Sequence, residues 1–172
     1  MSAEDQLATN KAAGQLVERL VTQCVPSLRL VTDDVAQHYD AVATALVTPR
    51  PELPFVGICL LERGAVVEIK SVIRRTATGE RGRFYFRAEQ HRRLIEAAGV
   101  YCFAVCESAP ERDLLRLKIV PATLVDELLP ADPWLDGGSG RPDYAQLTWS
   151  RLFTPAEIDA GETPPVSGGG GT

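Results

Sequence analysis

Long hydrophobic runs are missing from this 172-residue sequence, and none approaches the roughly 18 residues that a membrane span requires. The polar, acidic start from 1 to 10 also lacks the apolar stretch of a secretory signal peptide. We therefore expect a cytoplasmic protein without a membrane partner. The length suits one domain with its own core, which we place at residues 1–160, followed by a flexible Gly-rich tail at 161–172.

Cysteine is sparse and poorly spaced for metal binding. Of the four cysteines, Cys102 and Cys106 are four positions apart in an apolar run, which places them about 13 Å apart on a strand. That separation excludes a shared zinc ion or a local disulfide. We expect buried free thiols, since zinc held by cysteine together with His38 or His91 has no supporting spacing.

Lysine is scarce as well, because the chain has only Lys11, Lys70 and Lys118 against fifteen arginines. Lys70 lies in the apolar, β-branched run from Ala65 to Ile73. A lysine in that setting requires a specific reason, because a compact ammonium and a planar guanidinium are suited to different tasks.

The net charge is −5, but the charges are unevenly distributed. Between Arg74 and Arg93, seven arginines accompany two acids, so this window carries +5 and the rest of the chain −10. A basic segment on an acidic protein is compatible with phosphate contact at one site. The alternative is a solvated loop followed by a solvated helix face.

Hydrophobic periodicity predicts the order of the elements. Two apolar runs around the turn at 62–64, Phe55–Leu61 and Ala65–Ile73, predict a β-hairpin. The other predictions are a helix at Asp5–Cys24 that ends before Pro26, a short strand at Leu28–Val31, a helix or extended chain at Asp33–Val47, a loop at Thr48–Pro54, a helix at Arg87–Ala98 capped by Gly99, strands at Val100–Cys106, Leu114–Val120 and Tyr144–Phe153, and helices at Pro121–Leu129 and from Thr154 onward. A helix between two buried strands indicates a βαβ crossover, and hence an α/β fold with a mixed central sheet flanked by helices.

Glu68-Ile69-Lys70 is the segment that indicates chemistry. Side chains at i and i+2 of a strand share a face, so Glu68 and Lys70 lie side by side, and burying charges in an apolar strand is costly. The carboxylate suits a hard cation such as Mg²⁺. The ammonium would orient or deprotonate a water that attacks a phosphodiester, while the metal polarises the phosphate. The alternative is a Glu–Lys pair on a solvent-facing surface.

A metal site of this kind requires at least one more carboxylate. Asp40, which precedes Glu68 by 28 positions, is the first candidate, and a surface or capping role is its alternative. Glu18 on the first helix is the next candidate and would act through a water molecule. Glu62 follows, although an acid is ordinary at a hairpin turn.

Taken in order, these residues resemble a known pattern. The stretch from Phe55 to Cys106 resembles the core of the PD-(D/E)xK nuclease superfamily, and most of all its archaeal Holliday junction resolvase-type members. The matching features are Glu18 on the first helix, Glu68-Ile69-Lys70 on the hairpin, the basic connection, Gln90 near the start of the next helix, and the strand Val100–Cys106. One feature departs from the resolvase pattern, because its aspartate would fall near Gly57 or Cys59, and neither residue binds Mg²⁺ well.

The resemblance implies a restriction-endonuclease-like core with a defined set of site residues. Glu68, Lys70, Asp40 and Gln90 would be catalytic, with Gln90 holding a water or Lys70. Asp40, Glu68 and Glu18 would bind Mg²⁺ or Mn²⁺. The basic segment would contact DNA phosphates through Arg74, Arg75, Arg81, Arg83, Arg87 and His91. Tyr85 either stacks on a base or sugar, or belongs to the core with its phenylalanine neighbours.

Three functions are consistent with these features. The first is a metal-dependent endonuclease that hydrolyses DNA phosphodiester bonds, for which the resemblance implies branched or repair intermediates and a homodimer. The second is a nuclease-like fold without catalysis that serves as a DNA-binding module, which the missing hairpin aspartate favours. The third is a structural interaction protein of a virion or mobile element, in which the loop Pro130–Asp143 and the tail make contacts.

Overall fold

The computed structural model describes residues 3–31, 39–47, 55–57, 61–108 and 112–159, with side chains from residue 11 onward. The helices are α1 (Ala3–Cys24), α2 (Ala88–Glu96), α3 (Ala122–Leu128) and α4 (Pro155–Asp159). The strands are β1 (Leu28–Leu30), β2 (Ala41–Ala43), β3 (Val66–Ile73), β4 (Arg83–Arg87), β5 (Val100–Cys106), β6 (Leu114–Pro121) and β7 (Tyr144–Thr148). A 3-10 turn, Trp149–Arg151, follows β7. No helix in the described ranges is long and apolar enough to cross a membrane.

A mixed five-stranded sheet has the order β1–β2–β3–β5–β6. Strands β3 and β5 are parallel, and the other neighbours are antiparallel. Parallel neighbours require a crossover, which residues 74–99 provide with α2. Strand β5 is buried along almost its whole length, as expected of a central strand, whereas β6 alternates at the edge. The predicted α/β fold, with a mixed sheet flanked by helices, is confirmed.

The two faces of the sheet have separate apolar layers. Helix α1 covers one face, where its valines share a cluster with Val67 and Ile69 of β3. Strand β4 and helix α2 cover the other, where the Phe86 ring meets Tyr101 edge-on with 5.2 Å between ring centroids. Because strand side chains alternate, the even-numbered residues of β3 point to this second face. That is the face on which the two charged residues of β3 lie.

Strands β4 and β7 form a separate two-stranded sheet packed on this second face. The burial of β4 alternates, with Phe84 and Phe86 inside and Arg83, Tyr85 and Arg87 exposed. The predicted last strand is confirmed at Tyr144–Thr148, and it pairs with β4.

The prediction that Phe55–Leu61 forms a hairpin with β3 is wrong. Strand β3 pairs antiparallel with β2, whereas the described ends of the 55–61 run bridge to Leu117 and to Val47. The turn at 62–64 closes against β2, because the Gly64 N–H donates to the Ala43 carbonyl at 2.8 Å. Gly64 adopts a φ of 88° in this turn, which glycine tolerates without strain.

Gly99 has a different role from the predicted helix cap. Ala98 adopts the positive φ of 50° after α2. Gly99 instead permits close packing, because a Cβ there would lie 2.4 Å from Leu94 Cδ1 and 2.7 Å from Val66 Cγ2. The predicted loop Thr48–Pro54, the tail from 161 and residues 33–38 lie outside the described residues.

Candidate active site

Glu68 and Lys70 lie side by side in the middle of β3, as their spacing predicts. The Lys70 ammonium donates hydrogen bonds to Glu68 Oε1 at 2.7 Å and to Gln90 Oε1 at 3.0 Å. The Glu68 side chain is 3% exposed and that of Lys70 16%. The pair is therefore buried, and the alternative of a solvated surface pair is wrong.

Asp40 immediately precedes β2 and reaches the same part of β3. Its backbone N–H donates to the Val67 carbonyl at 3.0 Å, and its Oδ2 accepts the Ile69 N–H at 2.7 Å. Strand β2 pairs with only the first two residues of β3. The Asp40 carboxylate thus takes the place that a strand carbonyl would otherwise fill opposite Ile69.

The pairing of β3 changes which acid lies next to its antiparallel neighbour. The strand antiparallel to β3 is β2, so the acid next to that strand is Asp40 and not a residue of the 55–61 run. Gly57 lies instead near β6, where a Cβ on it would be 3.7 Å from Lys118 Cε. Cys59 lies outside the described residues.

Glu18 of α1 is the third carboxyl group near this point. Its neighbour Val17 is buried in the layer beneath β3, and Glu18 itself is half-buried. Burial and then the charge of Asp40 raise the pKa of Glu18 to about 7, although the Lys70 charge opposes them. Glu18, Asp40 and Lys70 are therefore close enough to influence one another electrostatically.

Burial also dominates the titration of the other two acids. It raises the pKa of Glu68 to about 7, with the Lys70 ammonium opposing it and the Asp40 charge adding to it. Burial likewise raises the pKa of Asp40, against the Ile69 hydrogen bond and the Lys70 charge. Three ionised carboxylates and one ammonium would leave a net −2. Bound protons or a cation would offset that charge.

One carboxylate oxygen marks where a cation would fit. Glu68 Oε2 is buried and receives no hydrogen bond from a donor group of the described residues. A proton shared with the neighbouring Asp40 carboxylate would relieve this costly state, and so would a metal ion. Mg²⁺ commonly binds one or two carboxylates and completes its shell with water and substrate phosphate. Asp40 and Glu68, which share the neighbourhood of Lys70, are the two carboxylates here that could contribute to such a shell. In the described ranges no three His, Cys, Asp or Glu side chains form a ready metal cage.

Gln90 comes from the first turn of α2, which begins directly after β4. Its Oε1 accepts the Lys70 ammonium, so that ammonium is held between a carboxylate and an amide. Of the predicted catalytic and metal-binding residues, the structure thus brings Asp40, Glu68, Lys70 and Gln90 together and places Glu18 within electrostatic range of Asp40 and Lys70.

The predicted DNA-contacting arginines fall into two groups. Arg83 and Arg87 are exposed on β4, and Arg81 is exposed with its guanidinium carbon 5.2 Å from the Trp149 ring centroid. In the described part of the chain, none of these three pairs with a carboxylate. Their charges are available to a polyanion.

Arg74 and Arg75 make intramolecular contacts instead. Arg74 forms ion pairs with Asp159 at 2.5 Å and Glu107 at 3.6 Å. Arg75 donates to the Gly79 carbonyl at 2.8 Å and so braces its own loop. The ion pairs of Arg74 reduce the charge that it would present to DNA.

His91 is not positioned to contact DNA, contrary to the prediction. It is 2% exposed, with Nδ1 2.8 Å from the Tyr101 hydroxyl and Nε2 3.1 Å from Asp126 Oδ1. Burial lowers its pKa, although Asp126 opposes this. The reason is helical spacing, because His91 and Leu94 share the buried face of α2.

A cavity lies beside the carboxylate cluster, the group formed by Glu18, Asp40 and Glu68. It has a volume of about 680 Å³ and is bounded by α1, the end of β3 and the β3–β4 connection. The carboxylates do not line it, but Val17 and Ser71, the chain neighbours of Glu18 and Lys70, do. Arg112 also lines it, and its position could not be predicted because an isolated arginine carries no sequence pattern.

Fold and site together define a class of protein. A Glu-x-Lys pair on a central strand, with the carboxylate of Asp40 hydrogen-bonded to the same strand, is an arrangement suited to metal-assisted phosphodiester chemistry. The chain belongs to the PD-(D/E)XK nuclease superfamily, whose domain model matches residues 4–154. Proteins of this superfamily generally use divalent metals. The narrower resemblance to resolvase-type members stays a prediction. A search of curated proteins gives no match.

Proposed function

We propose that this protein is an endonuclease that hydrolyses DNA phosphodiester bonds with Mg²⁺ or Mn²⁺ as its cofactor. The observation that carries the proposal is the Lys70 ammonium on buried Glu68, next to Asp40, in a chain of a nuclease superfamily. Residues 1–160 would act as one nuclease domain. The likeness to resolvase-type members favours branched or repair intermediates as substrates, and a homodimer.

Asp40 and Glu68 would hold the cation, and Glu18 would reach it through water. The bound metal would polarise the scissile phosphate and lower the pKa of the attacking water. Each of the two carboxylates already has one oxygen engaged, Asp40 Oδ2 by the Ile69 N–H and Glu68 Oε1 by Lys70. The remaining oxygens would face a cation when both groups are ionised, whereas a proton on one of them would link the two carboxylates to each other.

Lys70 would orient the attacking water and offset charge on the phosphate. An ammonium has three donors, and two of them are committed to Glu68 and Gln90. The third remains for a water or a phosphate oxygen. This compact geometry explains why a lysine occurs here in a chain that otherwise uses arginine.

The catalytically inactive alternative loses its main argument. It depended on Gly57 and Cys59 standing where an aspartate is expected. The position of Asp40, hydrogen-bonded to β3 from the end of β2, supports an active site instead.

The test is cleavage of supercoiled plasmid, linear duplex and a four-way junction by the purified chain with Mg²⁺ or Mn²⁺. The wild type should cut at least one of these, and the junction fastest if the branched-substrate prediction holds. Lys70→Ala should slow cleavage by about 10²- to 10⁴-fold, with folding checked by circular dichroism. Lys11→Ala removes an exposed lysine of α1 and should cut like the wild type.

Two results would contradict the proposal. One is a wild-type protein that cuts no form of DNA with either metal. The other is a Lys70→Ala variant that cuts as fast as the wild type.

A further inference from the structure

The β4–β7 outer face is the surface formed by Arg83, Tyr85 and Arg87 of β4 with Tyr144 and Gln146 of β7. The inner face of β4 is buried, with Phe84 1% and Phe86 0% exposed. On the outer face Tyr85 is 57% exposed. The packing of this strand is therefore supplied by its two phenylalanines. Tyr85 therefore leaves an exposed ring on this face, in contact with Tyr144 and free to meet a ligand.

Regular backbone pairing fixes the two rings of this face. Arg87 lies opposite Tyr144 in the antiparallel ladder, and Tyr144 exchanges two further backbone hydrogen bonds with Leu135, at 2.8 and 3.0 Å. The ring centroids of Tyr85 and Tyr144 are 5.9 Å apart, with planes inclined by 31°. A flat ligand would meet a pre-organised surface, so its binding would cost little conformational entropy.

Positive charge flanks the rings. Arg83 and Arg87 stand two residues to either side of Tyr85, on the same face of the strand. Arg83 donates to the Gln146 amide oxygen at 3.3 Å, which orients its guanidinium without neutralising it. This face is complementary to a polyanion that also carries flat rings.

The β4–β7 outer face is continuous with the cavity beside the carboxylate cluster, because Arg83, Tyr85 and Gln146 line both. The other charged side chains that line the described cavity are Glu80, Arg81 and Arg112. Strand β4 leads directly into α2, so the backbone from Tyr85 to Gln90 spans about 12 Å. Gln90 in turn contacts Lys70, so a strand on this face would lie close to the proposed scissile position.

We infer that the β4–β7 outer face binds an unpaired, single-stranded segment of DNA, with a base stacked on Tyr85 and phosphates held by Arg83 and Arg87. The inference rests on the proposed function and deepens it, because it names a substrate that carries single-stranded nucleotides beside the cleaved bond. Aromatic side chains combined with a basic groove are how proteins hold single strands. In an intact duplex the base faces are covered by their neighbours, so only phosphates would reach this face.

The test measures binding in EDTA, so that cleavage does not enter. Fluorescence anisotropy compares a labelled oligothymidylate with an abasic strand and a duplex of the same length. The wild type should prefer the oligothymidylate to the abasic strand by at least about fivefold. Tyr85→Ala should weaken oligothymidylate binding by about 5- to 100-fold, and Tyr85→Phe should retain it. Leu124→Ala, at a side chain 46% exposed on α3, is the matched control and should bind normally.

Duplex binding should be the same for the wild type and Tyr85→Ala. Equal wild-type affinity for the abasic and base-bearing strands would overturn the inference, because it would leave no role for stacking. Unchanged oligothymidylate binding by Tyr85→Ala would overturn it as well. An equal loss on duplex would do the same, since it would make this face a general phosphate contact. Base-dependent binding that requires Tyr85 in a protein that cuts no DNA would uphold this inference and contradict the proposed function.

Discussion

Replacing Glu68 by Gln is the most direct probe of the buried carboxylate. The change removes the charge and keeps an oxygen acceptor for Lys70. In the wild type, burial raises the pKa of Glu68 from the usual 4.5 to about 7. Folding therefore takes up a proton between these two pH values, and the free energy of unfolding falls as the pH rises through that window.

The magnitude follows from these two pKa values. Ionisation of Glu68 should cost about 1 kcal/mol of stability near pH 5 and about 3 kcal/mol near pH 8. Gln has no such cost, so the stability of Glu68→Gln relative to the wild type should rise by about 2–3 kcal/mol over that range. For a chain of this size, the relative gain is about 5–10 °C in Tm.

Thermal and urea unfolding in EDTA at the two pH values would measure this change. Glu62→Gln removes an exposed carboxylate from the turn before β3 and is the matched control, for which no such gain is expected. An equal shift in Tm for Glu68→Gln at both pH values would mean that folding does not raise the pKa of the Glu68 carboxylate. The electrostatic argument for the carboxylate cluster would then be wrong.

Two further predictions concern the metal and the packing. Millimolar Mg²⁺ or Mn²⁺ should raise the Tm by several degrees near pH 8 and little near pH 5. The reason is that protons compete with the metal for Glu18 and Glu68, whose pKa values are raised to about 7. Calorimetry that shows the same Tm with and without metal at both pH values would contradict this. Gly99→Ala should lose about 1–3 kcal/mol in urea unfolding, because its Cβ would lie 2.4 Å from Leu94 Cδ1. Gly14→Ala is the control, because a Cβ at position 14 would meet nothing within 4 Å. Equal stability of the two variants would show that close packing does not require a glycine at position 99.

The elements that the sequence predicts well are those with local periodicity. Strand β5 is an uninterrupted apolar run and is buried at nearly every position. Helix α2 is found within two residues of its predicted bounds at each end. The shared face of Glu68 and Lys70 also follows from local spacing. None of these inferences requires knowing which strands become neighbours.

Strand β2 could not be identified from local pattern, and neither could the contact of Asp40 with β3, although Asp40 is the first candidate among the acids. Strand β2 has three residues, too few for periodicity to be visible, and Asp40 reaches Ile69 across 29 positions. The longer apolar run at 55–61 is the stronger local signal, and it favours the wrong hairpin. The burial of His91 was obscured in the same way, because arginines follow it directly in the sequence while its helical face points to the sheet.

Within the described residues, β2 ends where Asp40 reaches β3, and the proposed chemistry would need a carboxylate at that point. On the β2 side, no strand of the described residues pairs with β3 beyond Val67. If β2 extended further, its next carbonyl would accept the Ile69 N–H and displace Asp40 from the edge. The same extension would cover Ser71 and Ile73, which line the large cavity. Among the described residues, the position beside Ile69 at the edge of β3 is therefore occupied by a carboxylate and not by a strand carbonyl, which is what the proposed metal site would require.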